Sequence, residues 1–167
     1  MQFQCGDLVR LIHLNLLETG LAPERLELEI TEGVLIDDPT RALSVLSGLK
    51  RLGVKIAMDD FGKGYASLSS LQSFPFDKIK IDRAFVSGVN SNESSAAIVR
   101  AVIGLGNALR VPVIAEGVET ELERLFLMLE GCQEIQGYLV GRPERIEAYA
   151  QLTTGRAAGK RRRGVGR

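Results

Sequence analysis

Leu26-Glu27-Leu28-Glu29-Ile30 alternates strictly between apolar and acidic residues, and Lys78-Ile79-Lys80-Ile81-Asp82 alternates in the same way with basic residues and one aspartate. A period of two predicts a β-strand in each stretch, with the charged side chains on the face opposite the apolar ones. The segment between these strands has a helical period. Pro39 suits the first turn of this helix, and Gly53 predicts its end.

Helices and strands are predicted to alternate along the whole chain. The predicted helices cover residues 8–18, 39–52, 67–71, 93–109, 121–129 and 144–152. The predicted strands cover residues 26–30, 54–58, 78–81, 112–115 and 134–140. This alternation predicts parallel βα units, in an open doubly wound sheet or in part of a barrel. Neither a Gly-x-Gly-x-x-Gly turn nor a phosphate loop follows any strand, which gives a Rossmann-type nucleotide site little support.

The composition predicts a soluble cytoplasmic domain. The 167 residues include 21 Lys and Arg against 21 Asp and Glu, so net charge gives no argument for binding a nucleic-acid polymer. Cys5 and Cys132 lack metal-like spacing and indicate a reducing compartment. No apolar stretch approaches the roughly 20 residues that span a bilayer. The tail at 153–167 is basic and is predicted to be disordered.

Charged residues recur where predicted strands end. Asp59 and Asp60 end the second strand, Glu116 follows the fourth, and Glu29 and Lys80 lie late in the first and third. A single such residue is best explained as a solvated strand end, but recurrence on four strands favours a site, because βα barrels build active sites at this end. Converging carboxylates repel one another unless cations neutralise them, and oxygen ligands suit Mg²⁺ or Mn²⁺. The residues alone therefore predict a metal-dependent phosphodiesterase, with the lysine orienting a water or a phosphate oxygen.

Five motifs then follow one another in a recognisable order. They are Glu29-Ile30-Thr31-Glu32, Asp59-Asp60-Phe61-Gly62 with Gly64-Tyr65, Lys80-Ile81-Asp82, Ala115-Glu116-Gly117-Val118-Glu119, and Gln136-Gly137-Tyr138. From about residue 2 to residue 143 the chain resembles the EAL family of bacterial cyclic-di-GMP-specific phosphodiesterases. The resemblance implies an α/β fold, an incomplete TIM-type (βα) barrel with about five of eight strands present. It also implies two-metal hydrolysis of cyclic-di-GMP to linear pGpG.

The resemblance implies roles for the charged residues at the strand ends. The residues that match metal-site carboxylates of the family are Glu29, Asp59, Asp60 and Glu116. Lys80 matches the lysine that holds the attacking water, so Lys80 and Glu116 are the expected catalytic residues. Mg²⁺ or Mn²⁺ is the expected cofactor.

Three further residues match substrate and loop positions of the family. Glu119 matches an acidic residue near a guanine base, and Gln136 matches a glutamine at the metal and substrate site. Glu32 matches the glutamate that anchors the loop after the paired aspartates, residues 61–71 here. Two alternatives stay open, because Glu32 could merely start a turn, and Glu119 could be an acidic residue at the start of the helix beginning at Thr120.

The chain also departs from the family pattern. No Glu-Ala-Leu motif occurs at its start, and Gln2-Phe3 looks like the end of an Asn-x-Ser motif whose asparagine is absent. Two metal ligands and about three strands are therefore expected to be missing from a partial EAL domain at residues 1–152. In the loop, Lys63 replaces a small or hydroxyl residue, and Ala66 replaces the usual serine.

An open barrel leads to two further expectations. Unpaired strand edges favour association, so a homo-oligomer or a complementing N-terminal segment is the expected protein partner, with cyclic-di-GMP as the ligand. Loss of two oxygen ligands predicts inactivity or weak activity for this chain alone. The alternatives are a degenerate module that binds cyclic-di-GMP or another protein, and a gene remnant without function.

Overall fold

A computed structural model of the protein describes residues 7–62 and 73–149, without the side chains of residues 36 and 37. The helices are α1 (Leu8–Thr19), α2 (Glu32–Asp37), α3 (Pro39–Leu52), α4 (Arg83–Val86), α5 (Glu93–Leu109) and α6 (Glu121–Leu129). The strands are β1 (Glu27–Thr31), β2 (Lys55–Phe61), β3 (Lys78–Ile81), β4 (Val113–Ala115) and β5 (Glu134–Ile135). Short 3₁₀ turns lie at Pro23–Arg25 and Ile146–Tyr149.

The five strands form one parallel sheet in the order β1-β2-β3-β4-β5. Each strand therefore pairs with the strand that follows it along the chain. A doubly wound sheet reverses its strand order partway, at the point where its ligand binds. The sequential order excludes that arrangement for the described residues and agrees with the predicted part of a βα barrel.

The two faces of the sheet differ in chemistry. Ile56 and Met58 of β2 pack with α3, while Ile79 and Ile81 of β3 pack with α5, and all four are buried. The residues between them on each strand face the other way, toward the concave side. That side holds charged groups, so the same alternation that predicts the strands separates an apolar helix layer from a polar inner face.

The three long helices that the sequence predicts at residues 39–52, 93–109 and 121–129 are confirmed at those bounds. Local caps explain the agreement. The Asp38 carboxylate accepts from the Arg41 amide at 3.0 Å, and Gly53 ends α3 in the left-handed region at φ 93°. Thr120 and Glu123 form a capping box at the start of α6. No helix in the described ranges is long and apolar enough to cross a membrane.

The predicted strand at residues 134–140 is wrong beyond Ile135. Gly137 approaches the Val118 backbone so closely that a Cβ there would lie 2.2 Å from the Val118 carbonyl oxygen. The chain then turns, and the Val140 amide donates to the Gly137 carbonyl at 3.0 Å. The alternation of residues 137–140 therefore does not represent a strand, because the chain turns after Gly137, where it meets the Val118 backbone.

Other differences are smaller. The predicted closing helix at 144–152 is a 3₁₀ turn at Ile146–Tyr149 within the described residues, and the short helices α2 and α4 were not predicted. The predicted helix at 67–71, the loop substitutions Lys63 and Ala66, and the tail at 153–167 lie outside the described residues.

Leu46 tests the helix layer, because its side chain is fully buried at 0% exposure between α3 and the sheet. Leu46→Ala should lower the free energy of unfolding by about 2–5 kcal/mol, through lost burial and the cavity left behind. Urea unfolding followed by circular dichroism measures the change. The matched control is Leu129→Ala, at a leucine that is 82% exposed, with an expected change of about 0.5 kcal/mol or less. Equal losses for the two variants would contradict the assignment of this core.

Candidate functional site at the carboxyl end of the sheet

The side chain of Lys80 lies at the centre of a group of carboxylates. Its Nζ is 2.5 Å from Glu29 Oε1, 2.6 Å from Glu116 Oε1 and 3.5 Å from Asp59 Oδ1. Only 6% of the lysine side chain is exposed, whereas half of the Glu29 side chain is. We call these four residues the Lys80 cluster. Its lysine is buried, whereas Asp59 and Glu116 are partly exposed and Glu29 is half exposed.

Each member of the Lys80 cluster comes from a different strand. Glu29 lies in β1, Asp59 in β2 and Lys80 in β3, and Glu116 is the first residue after β4. The Glu116 amide donates to the Ile81 carbonyl at 3.1 Å, which extends the pairing of β3 and β4 by one residue. Because parallel strands end at the same edge of a sheet, their late residues converge. The structure therefore brings Lys80 together with three of the four carboxylates that were expected to converge, namely Glu29, Asp59 and Glu116.

The electrostatics of the cluster keep Lys80 charged. Burial acts to lower the pKa of Lys80, but hydrogen bonds with Glu116 and Glu29, and the charges of Glu116 and Asp59, raise that pKa above its ordinary value of 10.5. One ammonium faces three carboxylates, which leaves a net negative site. Such a site attracts a further cation.

Asp60 follows Asp59 in an unusual conformation. Its φ is 56°, in the left-handed region that non-glycine residues rarely adopt, and the pairing of β2 with β3 shifts register between Met58 and Phe61. The Asp60 amide donates to Asp59 Oδ1 at 2.9 Å. The register shift therefore falls at the pair of aspartates, and Asp59 lies 3.5 Å from the Lys80 ammonium.

Glu32 is buried at the first residue of α2 and contacts the segment after β2. Its Oε1 accepts from the Gly62 amide at 2.9 Å. Its other carboxylate oxygen is buried and has no hydrogen-bond partner within the described part of the chain. Glu32 therefore begins a helix and also accepts a hydrogen bond from Gly62, and its role as the anchor of the loop at residues 61–71 stays a prediction.

A cleft of about 230 Å³ adjoins the Lys80 cluster. It is lined by Arg83, Glu116, Gly117, Glu119, Gln136, Gly137 and Tyr138. The structure thus brings the predicted substrate residues Glu119 and Gln136 into one cleft with Glu116, which belongs to both the cleft and the cluster. Glu119 lies just before the Thr120 cap of α6, and the acidic residues of the first turn of that helix are Glu121 and Glu123.

The sequence analysis did not identify Arg83 as a site residue. Its Nη2 lies 2.7 Å from Glu119 Oε1 across the cleft. Gly117 makes room for it, with φ 68° and a position at which a Cβ would lie 2.3 Å from Arg83 Cγ. Its position in the sequence could have indicated this role, because Arg83 directly follows the Lys80-Ile81-Asp82 motif at the carboxyl end of β3.

The donor chemistry of the cluster fits a hard divalent cation. In residues 7–62 and 73–149, no three His, Cys, Asp or Glu side chains already stand close enough together to hold a metal ion. Yet Glu29, Asp59 and Glu116 all present carboxylate oxygens to one positive centre, the Lys80 ammonium. Carboxylate oxygens are also the ligands that Mg²⁺ and Mn²⁺ prefer.

The sequence is similar to proteins of one family over most of its length. The family described as "EAL domain" matches residues 2–143. The chain is 57% identical over 154 residues to an uncharacterized signaling protein of Caulobacter vibrioides, covering 92% of the chain and 19% of that protein. It is 42% identical over 147 residues to the bifunctional diguanylate cyclase/cyclic di-GMP phosphodiesterase MucR of Pseudomonas aeruginosa, covering 88% and 22%. The chain thus spans about a fifth of the length of these relatives.

Solved structures share the fold. The PaMucR phosphodiesterase in complex with c-di-GMP matches with a TM-score of 0.85 and 41% identity, over 88% of this chain and 60% of that chain. Klebsiella pneumoniae BlrP1 in complex with manganese and c-di-GMP matches with a TM-score of 0.77 and 38% identity, over 84% and 36%. These likenesses confirm the predicted incomplete barrel with a parallel five-stranded sheet.

Replacing Lys80 tests the electrostatics of the cluster. Because the folded-state pKa of Lys80 lies above 10.5, its ammonium stabilises the fold fully below that pH and loses this contribution as the pH rises further. Lys80→Met should therefore lower the free energy of unfolding by about 2 kcal/mol at neutral pH. The difference from the wild type should stay constant between about pH 7 and 9 and narrow above about pH 10.5. Urea unfolding across this range measures it, and a difference that grows at alkaline pH would contradict the reasoning.

Proposed function

The chain belongs to the EAL domain family, and we propose that its strand ends form a cyclic-di-GMP phosphodiesterase centre that cleaves the ligand to linear pGpG. The observation behind this proposal is the Lys80 cluster, which joins carboxylates of separate strands beside a cleft. The PaMucR and BlrP1 structures, each in complex with cyclic-di-GMP, support the choice of ligand.

Carboxylates of the strand ends would hold Mg²⁺ or Mn²⁺, and the proposed ligands are Glu29, Asp59, Asp60 and Glu116. The manganese in the BlrP1 complex supports a divalent ion. Bound ions would supply Lewis-acid activation of the phosphodiester and of a water. The protein itself contributes carboxylates from several strands, and the sheet holds these carboxylates close together around Lys80.

Lys80 and Glu116 are the proposed catalytic pair. The Lys80 ammonium has three N–H donors, and Glu29 and Glu116 are close enough to accept from it at 2.5 and 2.6 Å. Held in this way, it can orient a water or a phosphate oxygen and stabilise negative charge that develops there. Glu116 also lines the cleft, so it keeps the ammonium at the edge where a ligand would enter.

The cleft offers groups that suit a guanine base. The Glu119 carboxylate can accept from two N–H groups of a guanine edge, and Gln136 supplies both a donor and an acceptor beside Glu116. Arg83, paired with Glu119 in this structure, adds a cation at the same cleft. We therefore assign substrate binding to Glu119 and Gln136, and anchoring of the adjacent loop to Glu32.

We expect the 167-residue chain to hydrolyse cyclic-di-GMP weakly or not at all by itself. The described residues supply five strands, whereas a TIM barrel has eight. The Lys80 ammonium also engages the carboxylate oxygens that a metal ion would share. In this proposal residues 1–152 form the partial domain, and residues 153–167 form a basic tail.

Binding and turnover test the proposal separately. The chain should bind cyclic-di-GMP by calorimetry when Mn²⁺ is present, and Glu116→Gln should weaken binding at least about tenfold, as loss of a metal or substrate contact does. The matched control is Glu121→Gln, at an exposed carboxylate of α6, which should bind like the wild type.

Chromatography of the products measures conversion to pGpG. Absence of cyclic-di-GMP binding both with and without Mn²⁺ would overturn the proposal. Rapid conversion to pGpG would contradict only the expectation that hydrolysis is weak. Binding without any conversion would favour a module that senses the nucleotide.

Self-association is the proposed assembly. Three leucines of α1 are exposed, namely Leu11, Leu14 and Leu17, at 46–67% of their side chains. Within the described residues β1 pairs with one neighbour only, so its other edge adds unpaired backbone groups. The exposed apolar surface of α1 and the open edge of β1 each favour association with a second copy.

Leu14→Glu should therefore shift the chain toward monomer in analytical ultracentrifugation at micromolar concentration. The mutation places a charge within the apolar face and should leave the fold intact, because Leu14 is half exposed. Glu18→Gln, on the same helix, is the matched control and should associate like the wild type. A wild-type chain that sediments as a monomer would refute the assembly.

A further inference from the structure

A second row of charges lies on the concave face below the Lys80 cluster. Lys78 Nζ is 3.0 Å from Glu134 Oε2 on β5 and 3.7 Å from Glu27 Oε2 on β1. A hydrogen bond with Glu134 is the main cause that raises the pKa of Lys78 above its ordinary value, so this lysine stays protonated. One side chain in the middle strand thus reaches both outermost strands of the described sheet.

The two rows lie two residues apart along the chain. In βα barrels, inward side chains from alternate strands form layers, and the odd-numbered strands here supply Glu27, Lys78 and Glu134. Two residues further along come Glu29 in β1, Lys80 in β3 and Gln136, the first residue after β5. At about 3.3 Å per residue, the lower layer lies roughly 7 Å beneath the site. The position of one layer therefore constrains the position of the next.

The Lys80 cluster depends on how strongly the sheet curves. Glu29 and Glu116 approach Lys80 from opposite sides of β3, and both come within 2.6 Å of its Nζ. Backbone hydrogen bonds join each strand only to its neighbour, so they leave the distance between β1 and β5 free to vary with twist and curvature. An ion pair that crosses the concave face fixes that distance directly.

We propose that Lys78 is a positioning residue, which holds β1 and β5 across the concave face and thereby sets how closely Glu29 approaches Lys80. Replacing its ammonium removes the cation that joins Glu27 to Glu134 and leaves their like charges to push the outer strands apart. As an isolated, partly exposed ion pair Lys78 would matter little for stability. Its effect is expected in the geometry of the layer above.

The test compares Lys78→Met with Lys78→Arg, because methionine keeps the stem without the charge and arginine restores the charge. The first readout is the nitrogen-15 signal of the Lys80 ammonium in metal-free protein. This group is buried among three carboxylates, so its protons should exchange slowly in the wild type. Lys78→Met should lose that protected signal, and Lys78→Arg should recover it.

The second readout is the affinity for Mn²⁺ by calorimetry, and it rests on the proposed function. Lys78→Met should weaken binding about tenfold, as changes outside the direct ligands of a metal commonly do. A wild-type chain that binds no Mn²⁺ would overturn the metal site proposed above. The Lys80 signal would still decide the role of Lys78, so the two failures can be told apart.

Lys50→Met is the matched control. It removes an ion pair with Asp77, at 2.6 Å, on the helix side of the sheet, so it should lower stability while leaving the Lys80 signal intact. The proposal is overturned if Lys78→Met keeps the protected signal, or if Lys50→Met loses it equally. If Lys78→Met does not fold, Glu134→Gln takes its place, since it removes the shorter contact and should weaken the same signal.

Discussion

The Lys80 ammonium is buried, and a buried charge is tolerated only where other groups compensate it. Burial of an ion costs several kcal/mol unless partners are well placed. The partners here are Glu29, Asp59 and Glu116, which come from three different strands and reach Lys80 at 2.5–3.5 Å. The strand ends must therefore stay together for the charge to be satisfied. Curvature of the sheet, access to the cleft and the net charge of the site all depend on this requirement.

Because apolar and charged residues alternate strictly along β1 and β3, one face of the sheet forms the core and the other face forms the candidate site. Apolar residues of the sheet pack against α3 and α5 and form the buried core. The inner face has rows of charge in place of the branched apolar side chains that usually fill a TIM barrel. A substitution on the helix side therefore affects mainly folding, while a substitution on the inner face affects mainly the site.

The likeness to EAL domains covers the part of the fold where these groups lie. The chain covers 60% of the PaMucR phosphodiesterase chain and about a fifth of the curated relatives, and the family match at residues 2–143 includes the strand ends and the cleft beside them. Gly117 and Gly137 show how closely the elements meet there, since a Cβ on either would overlap Arg83 or the Val118 backbone. The cleft depends on these close approaches as much as on its charged groups.

The sequence by itself determined the helices and the facing of the strands. Pro39, Gly53 and the Thr120–Glu123 capping box are local signals, and the bounds of α3 and α6 follow from them. The family and the candidate residues at the strand ends also follow from ordered motifs. All of these depend on residues that are close together along the chain, so a hydrophobic period, a capping residue or a motif is enough to predict them.

Only the tertiary structure decided which of those residues touch. The turn at Gly137, the pairing of Arg83 with Glu119 and the reach of Lys78 to two outer strands depend on contacts between distant segments. Alternation predicts that Lys78 and Lys80 lie on one face, but it does not predict how strongly the sheet curves. Curvature arises from the packing of all the strands and helices together with contacts across the concave face, and it decides which charges meet.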